Sequence, residues 1–481
     1  MSPWARSDIA FFSSTCAFCS APSSVAGACC LIEASVKPEP INAGPLEDRV
    51  EALKPDDLTR ALEEFRAVMT RDHAAALASC VHCGLCSETC HYYLATRRLD
   101  AIPAYKLGLV ASVFRRHEGL LGKVAPGWVG ARTLNHETIK AWIDALFGRC
   151  SLCGRCALNC TMGINITAAI RAARGVLAAL DLVPPGLKST VDTALIKGNN
   201  MGISENDFVE TLAWLEGEMQ SDAGFETARM YVEETGCRML YTLNPREVMF
   251  FPLSIVAVAK IFHAAGESWT FSKDGFDVTN YGLYDGSDAH AGTMSGRLVT
   301  SMERLGAGTL VLAECGHGFN SNRWEAPQWL NRRYPFEVKS ILQVVAGYLR
   351  DGRIKVDAAQ NTQPVTLHDP CNLVRLGGIV EEQRYLLRHT ARDFREMTPN
   401  REHNYCCGGG GGQLAMTNYA DRRLEAGRIK ADQIRRTGAK IVAVPCHNCI
   451  DQLMELNKHY GLGVELKTVC ELVANALVVE P

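Results

Sequence analysis

Cys80, Cys83, Cys86 and Cys90 form a C-x2-C-x2-C-x3-C run, and Cys150, Cys153, Cys156 and Cys160 repeat it. Three thiolates so closely spaced can wrap one side of a four-iron, four-sulfur cube, while the fourth points away. Structural zinc prefers separated Cys-x2-Cys pairs, so the doubled run favours two [4Fe–4S] clusters. A second constellation lies far downstream: Cys371 after His368-Asp369-Pro370, then Cys406-Cys407 followed by five glycines, then Cys446 and Cys449. Adjacent cysteines cannot easily both ligate one iron, but they can bridge different irons. Gly408 and Gly409 would let the backbone approach a bulky cluster and offer N–H donors to its sulfurs. A phosphate loop is the competing reading of the glycines, but no Gly-Lys-Ser/Thr closes the run.

In two-cluster ferredoxins the fourth cysteine of each run ligates the other cube. That rule assigns Cys80, Cys83, Cys86 and Cys160 to one cube, and Cys150, Cys153, Cys156 and Cys90 to the other. The proline usual after the fourth cysteine is replaced by His91 and Thr161, and 59 residues separate Cys90 from Cys150. This long insert resembles the helical ferredoxin of respiratory iron–sulfur subunits.

Helices must position the two runs. Asp57 opens an amphipathic helix with Leu58, Ala61, Leu62, Phe65, Val68 and Met69 on one face, leading to the first run. A second, capped by Asn135 and carrying Ile139, Trp142, Ile143, Leu146 and Phe147, delivers the chain to the second run. A third, from about Ile166 to Leu180, leads away. From about residue 230 β-like runs appear at Arg238–Thr242, Thr309–Ala313, Val365–His368 and Ile441–Val444. Helical stretches at Gly296–Leu305 and Leu424–Arg435 alternate with them, which predicts α/β lobes with largely parallel sheets. In such sheets ligands collect outside the carboxyl ends of the strands, where Cys371 and Cys446-x2-Cys449 would sit.

The two lobes read as a repeat. Leu243-Asn244-Pro245 corresponds to His368-Asp369-Pro370, and Tyr281 lies 36 residues past Pro245 as Cys406 lies 36 past Pro370. Ala313-Glu314-Cys315-Gly316-His317-Gly318 then corresponds to Val444-Pro445-Cys446-His447-Asn448-Cys449.

The composition frames this reading. Hydrophobic residues make up 47% and charged residues 21% of 481, with a net charge of −3, so no basic field advertises nucleic acid. Clustered cysteines in a long chain indicate metal and a reducing, cytoplasmic compartment rather than a secreted disulfide scaffold. The longest apolar run, Val248 to Ala259, is too short to span a bilayer, so direct membrane insertion is not expected. Residues 1–45 read as a disordered extension ending in a Lys37-Pro38-Glu39-Pro40 linker, with a signal peptide as the competing reading. Cys16 and Cys19 have no partner pair at a useful distance. There is no Rossmann fingerprint and no GxSxG.

His368-Asp369-Pro370-Cys371, Cys406-Cys407-Gly408 and Cys446-His447-Asn448-Cys449 together resemble the CCG domain of the heterodisulfide reductase family. With the doubled cubane run, the resemblance covers roughly residues 75–475. It is to the D-type polypeptide of heterodisulfide reductase and its relatives, including DsrK-type subunits, and more distantly to iron–sulfur subunits of glycolate oxidase and lactate-utilisation systems. The resemblance implies that Cys371, Cys406, Cys407, Cys446 and Cys449 hold a noncubane [4Fe–4S] cluster at which a disulfide is cleaved or formed. The chain departs from the family pattern in the first lobe, where Arg246, Tyr281-Gly282 and Gly318 stand at the cysteine positions and only Cys315 remains. That lobe is expected to bind no cluster, with Arg246, Cys315 and His317 as candidate substrate or proton-handling groups or as mere relics of the lobe interface. Cys237 and Cys470 are expected to be buried core thiols.

The expected architecture is α+β and multidomain: a helical ferredoxin-like domain at 46–225 with two cubane motifs, a cysteine-depleted CCG-like lobe at 230–335, and a CCG lobe at 336–481. The expected function is that of a redox enzyme subunit passing electrons through two cubanes to the noncubane cluster, with a thiol or disulfide as substrate. A membrane cytochrome b or quinone-reactive subunit is the expected partner. The alternative is an electron-transfer subunit of a flavin-dependent glycolate- or lactate-type dehydrogenase. The cubane region is expected to be independent of the five-cysteine site, because more than 200 residues separate them in sequence.

Overall fold

The computed structural model describes residues 45–479, so Cys16, Cys19, Cys29, Cys30 and the linker lie outside the described residues. The helices expected around the cysteine runs are present. The first spans Pro55–Val68, where Pro55 suits the first helical turn and Asp57 returns a carboxylate to the Lys54 N–H at 3.0 Å. Asn135 caps the second, His136–Trp142, by accepting from the Thr138 N–H. That helix then widens into a π-turn over Ile143–Phe147. The third spans Ile166–Ala179, capped by Asn165. Their apolar faces make one core that includes Phe65, Trp142, Ile170 and Leu177.

Two four-stranded parallel sheets follow. The first comprises β1 (Met239–Tyr241), β2 (Trp269–Thr270), β3 (Thr309–Leu312) and β4 (Glu337–Ser340), in the order β2-β1-β3-β4. The second comprises β5 (Val365–Leu367), β6 (Phe394–Arg395), β7 (Ile441–Ala443) and β8 (Glu465–Lys467), in the order β6-β5-β7-β8. The four central strands are the β-like runs of the sequence. They are buried on both faces, as parallel strands covered by helices must be. Three of the four edge strands lack that signature: β6 and β8 are partly exposed and β4 alternates, whereas β2 is buried but only two residues long. The sheets do not form separate cores. Leu240, Leu310, Val345, Leu367, Leu386, Ala443 and Val469 belong to a single hydrophobic cluster.

The expected independence of the helical region is overturned by the packing. The helix after the first cysteine run, His91–Thr96, lies against the long helix Ala420–Thr437 that precedes β7. Tyr92, Ala101 and Ala426 pack together there, and Arg428 donates to the Ala95 carbonyl at 2.7 Å. Arg422 of the same helix pairs with Asp144 at 2.6 Å. Among the described residues no helix is long and apolar enough to cross a membrane. The Val248–Ala259 run falls in helices Pro245–Phe250 and Pro252–Ala264, and the latter is largely buried.

Candidate functional site

The two cysteine runs adopt the same unusual backbone. His82 (φ 51°) and Leu152 (φ 50°) occupy the left-handed region one residue before the second cysteine, and Gly84 (φ 80°) and Gly154 (φ 75°) one residue after it. Non-glycine residues rarely enter that region, and two at equivalent positions mark loops shaped for a common purpose. Cys90 does not turn toward its own run alone. It lines one cavity with Cys150, Cys153 and Cys156, together with His91, Lys106 and Arg149. Cys160 reaches the other loop: burial first, opposed by the His82 backbone, then the Cys160 and Cys83 thiols raise Cys80 above the ordinary thiol range. Burial likewise pushes Cys86 up to about 12. Such thiols ionise only beside a strong positive charge, which a bound iron–sulfur cluster supplies.

The five downstream cysteines are all buried, and every described cysteine is a free thiol. Cys371 follows β5, and Cys446 follows β7 as the residue opening helix His447–Tyr460. Cys371, Cys407, Cys446 and Cys449 line one cavity, and Cys407 Sγ lies 3.4 Å from Cys449 Sγ. Cys406 accepts from the Gly408 N–H at 3.3 Å. Hydrogen bonds from the Cys406 and Cys449 thiols hold Cys407 well below the ordinary range. His368 is buried, with neither ring nitrogen hydrogen-bonded, and its ring shares a group with the Cys407 and Cys449 sulfurs in which all ligand atoms lie within 4.8 Å of one another. Buried sulfurs converging on one cavity, backbone N–H donors aimed at them and an orphaned imidazole beside them fit a sulfur-rich cluster.

The first lobe closes this cavity. Gly316, His317 and Tyr284 complete its lining, and the Gly316 N–H donates to Cys446 Sγ at 3.4 Å. The contact is reciprocal, for the His447 N–H donates to the Glu314 carbonyl at 3.2 Å. His317 is buried between the Tyr281 and Tyr284 rings, Nε2 without a partner, and burial pushes its imidazole down to about 3. Cys315 is also buried, 3.5 Å from His317 Nδ1. Arg246 does not line the cavity; it is paired with Asp451, with Nη2 to Oδ1 at 3.0 Å. Cys470 is buried, as expected, but Cys237 is only half-buried.

Sequence reasoning missed how near the second cysteine run lies to this site. Ser151 Oγ is 3.5 Å from Cys406 Sγ, and atoms of His91, Cys153 and Cys406 lie within 4.8 Å of one another. The glycine run is the means of approach. A Cβ at Gly411 would stand 2.6 Å from the Ser151 carbonyl carbon, so only glycine lets the two cysteine loops touch. Arg375 ties the same junction, donating to the Cys153 and Glu402 carbonyls at 2.6 Å and to that of Asn404 at 2.5 Å. Arg174 is the larger omission. Fully buried, it donates to the carbonyls of Leu146 and Cys150 at 2.7 Å, Tyr284 at 2.7 Å and Gly411 at 2.9 Å. It therefore joins the helical region to both lobes, and burial lowers its guanidinium to about 10. The one available signal was an arginine beside the apolar stripe of Ile170, Ala173 and Leu177.

Comparison with known proteins bears on this geometry directly. A profile for a 4Fe–4S dicluster domain matches residues 76–164, and one for a cysteine-rich CCG domain matches residues 365–454. An Hdr-like menaquinol oxidoreductase iron–sulfur subunit of Archaeoglobus fulgidus is 27% identical, covering 83% of this chain and 79% of its own length. The D-type polypeptide of the dihydromethanophenazine:CoB–CoM heterodisulfide reductase of Methanosarcina barkeri is 26% identical, covering 83% of this chain and 94% of its own. The chain is a heterodisulfide reductase-like iron–sulfur oxidoreductase subunit. An Archaeoglobus profundus iron–sulfur subunit of the Hdr-like menaquinol oxidoreductase type is 25% identical over 87% of this chain and 82% of its own length. The heterodisulfide reductase-like chain thus pairs a 4Fe–4S dicluster domain, holding both C-x2-C-x2-C-x3-C runs, with a CCG domain holding the five downstream cysteines.

Proposed function

We propose that this heterodisulfide reductase-like subunit passes electrons through two [4Fe–4S] cubanes to a noncubane [4Fe–4S] cluster where a disulfide-type substrate is reduced or formed. The ligand sets are Cys80, Cys83, Cys86 and Cys160; Cys90, Cys150, Cys153 and Cys156; and Cys371, Cys406, Cys407, Cys446 and Cys449. The observation that carries the reading is the junction at Ser151, Cys153 and Cys406, because it sets the second cysteine run against a member of the downstream five-cysteine group. A bound cluster set would supply one-electron carriers and a site for S–S chemistry. The net reaction consumes a disulfide, two electrons and two protons and yields two thiols, or runs in reverse. The chain's own residues shape the rest: Gly316 and Gly408 N–H groups steady the sulfurs, and Tyr284 and His317 exclude water from the cavity.

The domain boundaries follow as part of the same reading: 46–225 for the dicluster region, 230–335 for a CCG-like lobe without a cluster, and 336–481 for the CCG lobe. The relatives named for menaquinol and dihydromethanophenazine support an electron-donating partner, a membrane cytochrome b or quinone-reactive subunit, with this chain at the cytoplasmic side. The test is iron analysis and paramagnetic resonance on anaerobically purified protein. We expect about 12 iron atoms from three four-iron clusters, and a new signal when the protein is oxidised with a substrate thiol present. About 16 iron would place a cluster in the first lobe. Full iron loading with no response to any cellular thiol would favour the electron-transfer subunit of a flavin-dependent dehydrogenase.

A further inference from the structure

Four of the seven most exposed large apolar side chains among the described residues fall within nine positions: Leu120 (78% exposed), Leu121 (61%), Val124 (77%) and Trp128 (87%). They belong to a finger of two short turns, Leu120–Val124 and Pro126–Val129, which folds back on the end of helix Pro103–Glu118. The fold-back is fixed rather than loose. Arg116 donates to the carbonyls of Gly122 at 3.1 Å and Lys123 at 3.3 Å, and the Arg132 N–H donates to the Ser112 carbonyl at 3.0 Å. An apolar cluster held outward in this way is costly in water and marks a contact surface.

Its charge indicates what covers it. Arg115, Arg116, Lys123 and Arg132 flank the finger, and the one carboxylate among them, Glu118, is taken by Arg66 at 2.8 Å. This stretch is cationic in a chain of net charge −3. Leucines and a tryptophan projecting between cations is the composition of a segment that lies at headgroup level in an anionic bilayer. Arg115 lies against Gly130 at the finger's end and acts electrostatically on Cys80, and Cys83, Val81 and Leu85 of the first cysteine run are exposed.

We propose that residues 119–130 are an interfacial anchor, seating Leu120, Leu121, Val124 and Trp128 in the headgroup boundary of a membrane containing anionic lipid. No span is involved; the contact is peripheral and reversible, and it goes beyond the redox reading, since it holds whatever the substrate. The experiment is sedimentation of the full, cluster-loaded chain with phosphatidylcholine vesicles, with and without phosphatidylglycerol. The wild-type chain pellets with the anionic vesicles and is released by salt. Leu120→Ser with Trp128→Ser lowers partitioning about tenfold or more, and Lys123→Gln about fivefold, with iron content and cluster spectra unchanged in both. Quenching of Trp128 fluorescence by brominated lipid, read against Trp128→Phe, places that side chain at the interface. A wild-type chain that ignores both vesicle types, or a double variant that pellets as well as wild type, overturns the proposal. Protection of the finger only by a co-purifying membrane protein overturns it in favour of a protein partner.

Discussion

Cys446 and Cys315 occupy the same corner of two similarly ordered sheets, but only Cys446 stands among other cysteines. Each follows a central strand, each makes the same short backbone turn (Cys446 N to the Val444 carbonyl at 2.8 Å, Cys315 N to the Ala313 carbonyl at 2.6 Å), and each opens a helix. Around Cys446 four further cysteines gather; around Cys315 there are Asn244, Tyr281, His317 and Gly318. The first lobe has also lost the room for cysteines. A Cβ at Gly318 would stand 2.5 Å from the Val278 carbonyl oxygen, and one at Gly282 would stand 2.4 Å from the Ala291 nitrogen. The same strand order thus supports opposite uses: one lobe opens its loops around sulfur, while the other packs them shut and becomes the wall of its neighbour's cavity.

The comparison is broken most sharply at Cys407. Cys407→Ser should lower thiol–disulfide turnover at least about a hundredfold, the scale of losing a group that acts as part of a unit. Because Cys406 touches the second cubane loop, we also expect the remaining cubane spectrum to shift, with iron falling from about 12 to about 8 atoms. An unperturbed cubane spectrum would separate the two sites after all. Arg174→Met tests the joint between the lobes. It strands the carbonyls of Leu146, Cys150, Tyr284 and Gly411, and should cost about 3–5 kcal/mol, read by calorimetry. A melting temperature unchanged from wild type would show that apolar packing alone holds the three parts together.

Restoring cysteines to the first lobe sharpens the contrast. Gly282→Cys and Gly318→Cys, made with Tyr281→Cys and Arg246→Cys, should add no iron and should destabilise by about 1–3 kcal/mol per glycine site. A gain to about 16 iron atoms would mean that the lobe had lost only its ligands and not its space. The smallest effect concerns an ion-pair cluster found on the first sheet. Burial would raise the Glu267 carboxyl, but hydrogen bonds from Arg238 and from Tyr348 at 2.6 Å prevail and hold it at about 2. A depressed carboxyl contributes stability above its unfolded value and loses it as pH falls through the folded one. Glu267→Gln should therefore cost about 1–2 kcal/mol near neutrality, and the difference from wild type should shrink between about pH 4.5 and 2. A pH-independent difference would make the role one of packing.

Much of the fold was legible because its signals are local. The helix cap at Asn135, apolar periodicity and doubly buried strands are written within ten to fifteen residues, and the central strands β1, β3, β5 and β7 all fall where the pattern placed them. The edge strands were not, since β2 and β6 are two residues long and β8 is three residues and largely unburied, too short or too exposed to carry a pattern of their own. The cysteine spacings similarly reveal sulfur-cluster chemistry, because a metal cube imposes a spacing on any loop that wraps it. What spacing cannot reveal is which loops meet. That Cys153 lies by Cys406, that Gly316 donates to Cys446, and that a lone arginine at 174 joins three segments depend on contacts between residues 110 to more than 250 positions apart. Such contacts are selected by the packing of whole apolar faces, a property that no single stretch of sequence carries.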